Sequence, residues 1–147
     1  MDIKIKVLEL YQRDEALELI WKVFLEYEAP DYTQQGVDEF FRSIHDEEWL
    51  NQILMYGAYY KDRLVGVIAT RNEGTHIALF FVDGEFHRKG IGRQLFQRIL
   101  EDNKVNSITV NSSPYAVPVY TKLGFETIDS EQEKNGLRFT PMRYQIQ

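Results

Sequence analysis

Cysteine is absent from the 147 residues, which excludes disulfides, thiolate metal sites and a cysteine nucleophile. Histidine is scarce, and His45, His76 and His87 are scattered without the spacing a metal site uses, so no metal is expected. No apolar run approaches the ~20 residues that cross a bilayer. The N-terminal stretch MDIKIKVLEL alternates polar and apolar residues where a signal peptide has an unbroken apolar core, so the expected location is cytoplasmic. Excess positive charge is lacking too. At a net charge of −6, neither nucleic acid nor an anionic membrane is an expected partner. Internal repeats, low-complexity tracts and Pro/Gly/Ser-rich linkers are also missing. Residues 1–147 therefore read as a single domain, whose 44% hydrophobic content supplies a core without a covalent staple.

Hydrophobic periodicity divides the chain into alternating element types. Residues 3–8 alternate as a first strand. Asp14 is placed to cap a helix carrying Leu17, Ile20, Trp21 and Phe24 on one stripe, stopped by Pro30. Thr33 is placed to cap a second helix bearing Val37, Phe40, Phe41 and Ile44, with a short helical continuation around Trp49 to Leu54. The period then shortens. Residues 56–60 and 64–70 read as a hairpin turning at Lys61-Asp62-Arg63, and residues 75–82 as a strand apolar enough to be buried on both faces. A helix over 90–103, a strand over 107–111 and a helix over 116–123 ending at Gly124 follow. Strands at 125–128 and 138–146 close the chain, the last interrupted by Pro141 and so an edge or a bulge. The order β-α-α-β-β-β-α-β-α-β-β predicts a mixed sheet covered by helices.

One segment concentrates chemistry. Phe80 to Arg93 runs from the buried strand through a short turn into a glycine-punctuated helix start. Gly90 and Gly92 lack the Cβ atoms that keep ligands off a backbone. A helix start presents unpaired N–H groups and partial positive charge, which suits phosphate. Arg88, Lys89 and Arg93 crowd this end, and no acid lies between Glu85 and Glu101. Basic residues there lose roughly 0.3–1 kcal/mol against the dipole, an arrangement that an anionic ligand reverses. A solvated basic turn has the same pattern. Gly92 is followed by Arg93-Gln94 rather than by the Lys-Ser/Thr of a nucleotide-triphosphate loop, and the three glycines of a dinucleotide fingerprint are missing.

His87-Arg88-Lys89-Gly90-Ile91-Gly92 resembles the Arg/Gln-x-x-Gly-x-Gly/Ala signature of the GNAT superfamily of N-acetyltransferases, with His87 departing from its usual first residue. The stretch from Asn111 through Tyr120 to Gly124-Phe125 resembles the second signature of that family, in the right order. The resemblance implies an α/β (α+β) fold with a central mixed, mostly antiparallel sheet of six to seven strands, flanked by about four helices. It also implies a splayed strand pair holding acyl-CoA. The expected donor is acetyl-CoA, used as a co-substrate, and the expected acceptor is an amine on a small molecule or peptide. Phe81 and Val82 would pair with the pantetheine through their backbone. The backbone N–H groups of His87, Arg88, Lys89, Gly90, Ile91, Gly92 and Arg93 would hold the pyrophosphate, and Asn111 would bond the pantetheine. Tyr120 would protonate the departing thiolate, since a tyrosine of pKa ~10 keeps its proton at pH 7.

The attacking amine needs a base. At pKa ~10.4 only about one amine in 2,500 is neutral at pH 7, a penalty of roughly 4.6 kcal/mol. Strand 75–82 carries no acid, and the candidates are His76, Glu73, Glu26, Glu28 and Asp31, with none preferred. The acidic residues 26–31, interleaved with Tyr27 and Tyr32, suggest a cationic acceptor or a solvated surface. A non-catalytic acyl-CoA-binding module is the competing reading. Monomer and homodimer are both left open.

Overall fold

In the computed structural model, which describes residues 1–146, eight strands form one sheet with five α-helices against it. Strand β1 (Lys4–Val7) is followed by α1 (Arg13–Val23), α2 (Gln34–Ile44) and the single turn α3 (Glu47–Leu50). Strands β2 (Leu54–Tyr60), β3 (Arg63–Arg71) and β4 (His76–Val82) then form a meander. Next come α4 (Ile91–Asp102), β5 (Ser107–Ser112) and α5 (Val117–Leu123), and last β6 (Glu126–Thr127), β7 (Gln132–Lys134) and β8 (Leu137–Gln145). The spatial order is β1-β2-β3-β4-β5-β8-β6, with β7 also on β8. Every pairing is antiparallel except β4 with β5. The strand beyond the six to seven expected is β7, whose Gln-Glu-Lys sequence is exposed on both faces and so carries no hydrophobic alternation.

Alternation along the central strands sends side chains to two separate cores. Val67 and Ala69 face the core beneath α1 and α2, while Val65 and Ile68 face the one beneath α4 and α5. Leu79 and Phe81 join the first and Ile77 and Phe80 the second. As the apolar run predicted, β4 is covered on both sides. Thr33 caps α2 by accepting from the Gly36 N–H at 3.4 Å. Asp14 does not cap α1. A 3₁₀ turn over Leu10–Gln12 leads into that helix, and Asp14 lies in its first turn, where its charge complements the dipole. The helical continuation over 49–54 is shorter than expected, because Leu54 opens β2 and pairs with Thr70. Pro141 stands where the outer partner of β8 changes from β6 to β7. Its carbonyl accepts from Ile128 at 2.9 Å, so the missing N–H falls at the interruption between two short edge strands.

The β7–β8 hairpin is held against α2 by two glycines. A Cβ at Gly36 would collide with the Gly136 carbonyl oxygen, so the helix and hairpin backbones touch with no side chain between them. Tyr32 and Arg138 add hydrogen bonds to this seam, the Tyr32 hydroxyl donating to the Arg138 carbonyl at 3.4 Å and Arg138 donating to the Asp31 carbonyl at 3.0 Å. Gly36→Ala should therefore destabilise the protein by about 1–3 kcal/mol, the usual range for an overpacked contact. Urea denaturation of the two proteins checks this.

Candidate active site

Strands β4 and β5 pair over two residues only, His76 with Thr109 and Ile77 with Val110. The cause is visible in β4 itself. Its register against β3 slips between Ala69 and Thr70, so Ala78 is an extra residue, and Ala78 and Leu79 both pack toward the α1/α2 core. Such a bulge bends a strand and turns its later residues. Beyond Ile77 the two strands diverge. A cleft of about 360 Å³ opens there, lined by both strands, the end of α1, α2, α5 and the β7–β8 hairpin.

The turn after β4 has the backbone geometry of an anion nest. Arg88 and Gly90 adopt left-handed backbone, at φ 62° and 80°, and Gly90 is the cap of α4. Successive N–H groups in such a turn converge on one point. Among the described residues, the backbone N–H groups of Arg88, Lys89, Gly90, Ile91, Gly92 and Arg93 donate to no protein acceptor. A Cβ placed on Gly90 meets nothing within 4 Å, so space lies open in front of them. Arg88 and Lys89 are exposed and pair with no carboxylate. A diphosphate fits this set of donors. Behind the turn, the buried Asp83 carboxylate takes Arg63 at 3.0 Å, Lys22 at 3.3 Å and the Glu85 N–H at 3.0 Å. Burial alone would raise its pKa; these partners hold it below the ordinary carboxylate value.

On α5, Tyr120 is buried against Phe80 and Phe125 at ring distances of 5.8 and 5.2 Å and lines the cleft. Burial, with the Glu28 charge added, pushes its pKa well above the ordinary value, so its hydroxyl is protonated throughout the physiological range.

The sequence profile described as "Acetyltransferase (GNAT) domain" matches residues 28–146. The chain belongs to the GNAT acetyltransferase family. Solved members share its fold at low identity. A GCN5-related N-acetyltransferase from Rhodopseudomonas palustris superposes with a TM-score of 0.82 at 16% identity, over 99% of this chain and 97% of that one. The PaiA N-acetyltransferase of Thermoplasma acidophilum, solved in complex with coenzyme A, gives 0.79 at 20% identity, over 99% and 100%. Among curated sequences, the UPF0157 protein YqkA of Bacillus subtilis is 29% identical over 89 residues, which is 56% of this chain. The match spans only 26% of that relative's length.

Within this GNAT frame the expected site residues divide by what their atoms are free to do. Arg88 to Arg93 present N–H groups without a protein acceptor among the described residues, and the Ile91 side chain is buried in the core. His87 is occupied internally. Its N–H donates to the Gly84 carbonyl at 3.3 Å, and its Nε2 lies 2.7 Å from the Val82 carbonyl oxygen. The ring thus ties the turn to the end of β4. For Phe81 the expectation changes. The Asp83 N–H donates to the Val65 carbonyl at 2.8 Å, so strand alternation spends the Phe81 backbone on β3 and directs the backbones of Phe80 and Val82 into the gap. A bulge is not legible in an apolar run, so the residues alone do not show which backbones of β4 face the gap. Asn111 is exposed at the cleft, and its carboxamide bonds nothing among the described residues.

Gly92 is packed against β4 as well as presenting its N–H. Its Cβ position faces the Phe80 ring at 3.4 Å, so it accommodates packing of α4 on β4, and Gly90 is the residue with open space above it. Sequence reasoning missed Ser113 and Tyr32, which line the cleft. Ser113 had a signal, its position inside the second signature; Tyr32 had none beyond the acids around it. Gly90→Ala should cost about 1–2 kcal/mol, the penalty for an L-residue in left-handed backbone. Gly92→Ala, an ordinary contact at the start of a helix, should leave stability within about 0.5 kcal/mol of wild type. Chemical denaturation of both variants checks the contrast.

Proposed function

We propose that this protein transfers an acetyl group from acetyl-CoA to a primary amine, both substrates being bound together in the cleft. The observation that carries this reading is the coincidence of three features along one line. A cradle of unpaired N–H groups at residues 88–93, a strand gap edged by the Phe80 backbone and the Val82 N–H, and a buried protonated tyrosine follow one another at the divergence of β4 and β5. Support from the family comes from a member solved with coenzyme A and another, from Elizabethkingia anophelis, solved with acetyl-CoA.

In this reading the N–H groups of residues 88–93 hold the pyrophosphate, and the exposed Arg88 and Lys89 add charge. The Phe80 backbone, the Val82 N–H and the Asn111 carboxamide align the pantetheine arm, continuing the sheet across the gap. When bound, acetyl-CoA supplies the activated acyl carbon. Tyr120 donates its hydroxyl proton to the departing sulfur. The acceptor reaches the reacting centre from the side bounded by α2 and the β7–β8 hairpin.

Acetyl-CoA at a hundredfold excess over its Kd should stabilise the fold by roughly 2.7 kcal/mol, read as a rise in Tm. An unchanged Tm at millimolar acetyl-CoA would count against the donor. Tyr120→Phe keeps the ring contacts with Phe80 and Phe125 and removes only the hydroxyl. We expect kcat to fall by about 10²-fold, the lower end of general-acid effects, because a thiol of pKa ~8.5 departs readily. Donor affinity should hold, since the hydroxyl acts only in the transition state. Steady-state kinetics of CoA release over a panel of polyamines, amino acids and peptides, with a titration of acetyl-CoA, separates these effects.

A further inference from the structure

Of the five groups the sequence offers as a base, one lines the cleft. His76 stands at the foot of β4, where the strands still pair, its Nδ1 2.8 Å from the Thr109 hydroxyl. Burial and Arg71 push its pKa down to about 4. Glu73 is in the turn between β3 and β4. Glu26 and Asp31 are exposed. Glu28 faces inward beside Ser113 and Tyr120.

Its placement comes from an irregularity in the backbone. Past Val23 the helix widens into a π turn over Phe24–Glu28, closed by the Ala29 N–H on the Phe24 carbonyl. Residues four apart share a face, so Phe24 and Glu28 both reach the cleft while Leu25 and Glu26 remain outside. The turn is fastened beside Glu28. Tyr27 packs on His87 at 4.8 Å, and its hydroxyl occupies the space where a Gly84 side chain would lie. Widened turns of this kind recur at functional sites.

Ser113 Oγ accepts the Ala116 N–H at 3.2 Å, which leaves its hydroxyl proton free, and that hydroxyl lies near enough to both Glu28 and Tyr32 to lower the pKa of each. No lysine or arginine pairs with Glu28 among the described residues.

We propose that Glu28 is the general base and that the acceptor enters the cleft as an ammonium ion, whose proton the Glu28 carboxylate removes. The proposal rests on the acetyl-transfer reading above. One ammonium proton passes to Glu28, and the freed nitrogen lone pair forms the N–C bond as the C–S bond breaks. The sulfur takes the Tyr120 proton, the second nitrogen proton restores the Tyr120 hydroxyl, and Glu28 releases its proton to solvent. Ammonium and thioester become amide, thiol and one free proton.

Electrostatics agrees with the geometry. Burial pushes Glu28 up to about 7, against the Ser113 hydrogen bond and with a further rise from Asp31. Tyr32, Tyr115 and Tyr120 face it from neighbouring elements, and burial raises the pKa of each, so they stay neutral. Across the cleft stand Glu39 on α2 and Lys134 and Arg138 of the hairpin. Arg138 is engaged by Glu131 at 3.6 Å and the Asp31 carbonyl, and Glu39 by Arg42.

The test compares wild type with Glu28→Gln, which keeps an acceptor for Ser113. Two amines serve as probes: butylamine, an ammonium ion at pH 7, and trifluoroethylamine, already neutral there. We expect kcat/KM for butylamine to fall about 10²–10⁴-fold, with the rising limb near pH 7 lost. Trifluoroethylamine should lose far less, and the acetyl-CoA-induced rise in Tm should persist. Equal losses for both amines, or no loss with butylamine, would overturn the base while leaving acetyl transfer standing. A wild type that acetyl-CoA does not stabilise would overturn the acetyl-transfer reading and the base with it. Melting without any ligand gives an independent readout. A folded-state pKa raised above the unfolded value of ~4.3 means that wild type loses stability as pH rises from there to about 7. Glu28→Gln should therefore gain Tm over wild type progressively across that window, and a difference flat with pH would overturn the assignment.

Discussion

Two residues of parallel pairing between β4 and β5, and no more, hold the function of this molecule open. A sheet that continued pairing would satisfy the Phe80 and Val82 backbones and close the space between them. The bulge at Ala78 prevents this by turning the end of β4 away from β5. Two hydrophobic cores, one on each sheet face, make the divergence tolerable, since each half of the sheet keeps its own packing on α1 and α2 or on α4 and α5. Everything at the site is arranged around this gap. The anion turn lies at one end, Tyr120 plugs its side, and the π turn and the hairpin bound the other end.

The site also shows how unsatisfied groups are maintained without collapse. Unpaired N–H groups in the 88–93 turn are tolerated because they face solvent, and the left-handed Arg88 and Gly90 keep them from folding into a longer helix. The turn is braced from behind by Asp83 with its two cations and by the His87 ring on Val82. A side chain that matched the signature at position 87 could contact a phosphate. The histidine instead serves as a bracket between the turn and the end of β4.

Much of this was legible in the residues. Periodicity gave both faces of β4, the Thr33 cap and the helix ending at Gly124, because each depends on neighbours within a few positions. The glycine-basic turn and the Asn-to-Tyr stretch carried the family, since the contacts they make are local and tied to spacing. The Asp14 cap was misread because a preceding 3₁₀ turn shifted the helix start. Strand β7 was invisible because its exposed side chains have no hydrophobic face to repeat.

The sequence by itself determined the mixed α/β class, the glycine-punctuated basic turn before α4 and the helix that carries Tyr120. Only the tertiary structure decided which acid reaches the cleft. Glu26, Glu28 and Asp31 are equivalent in composition and nearly so in position. A widening of the helix, stabilised by Phe24 stacking on Phe40 from another element at 4.0 Å, turns one of them inward. The Ser113 hydroxyl that meets it arrives from 85 residues further along the chain, a distance over which no local pattern carries information. Desolvation follows from that meeting, because the dielectric around a carboxylate is a property of what surrounds it in space.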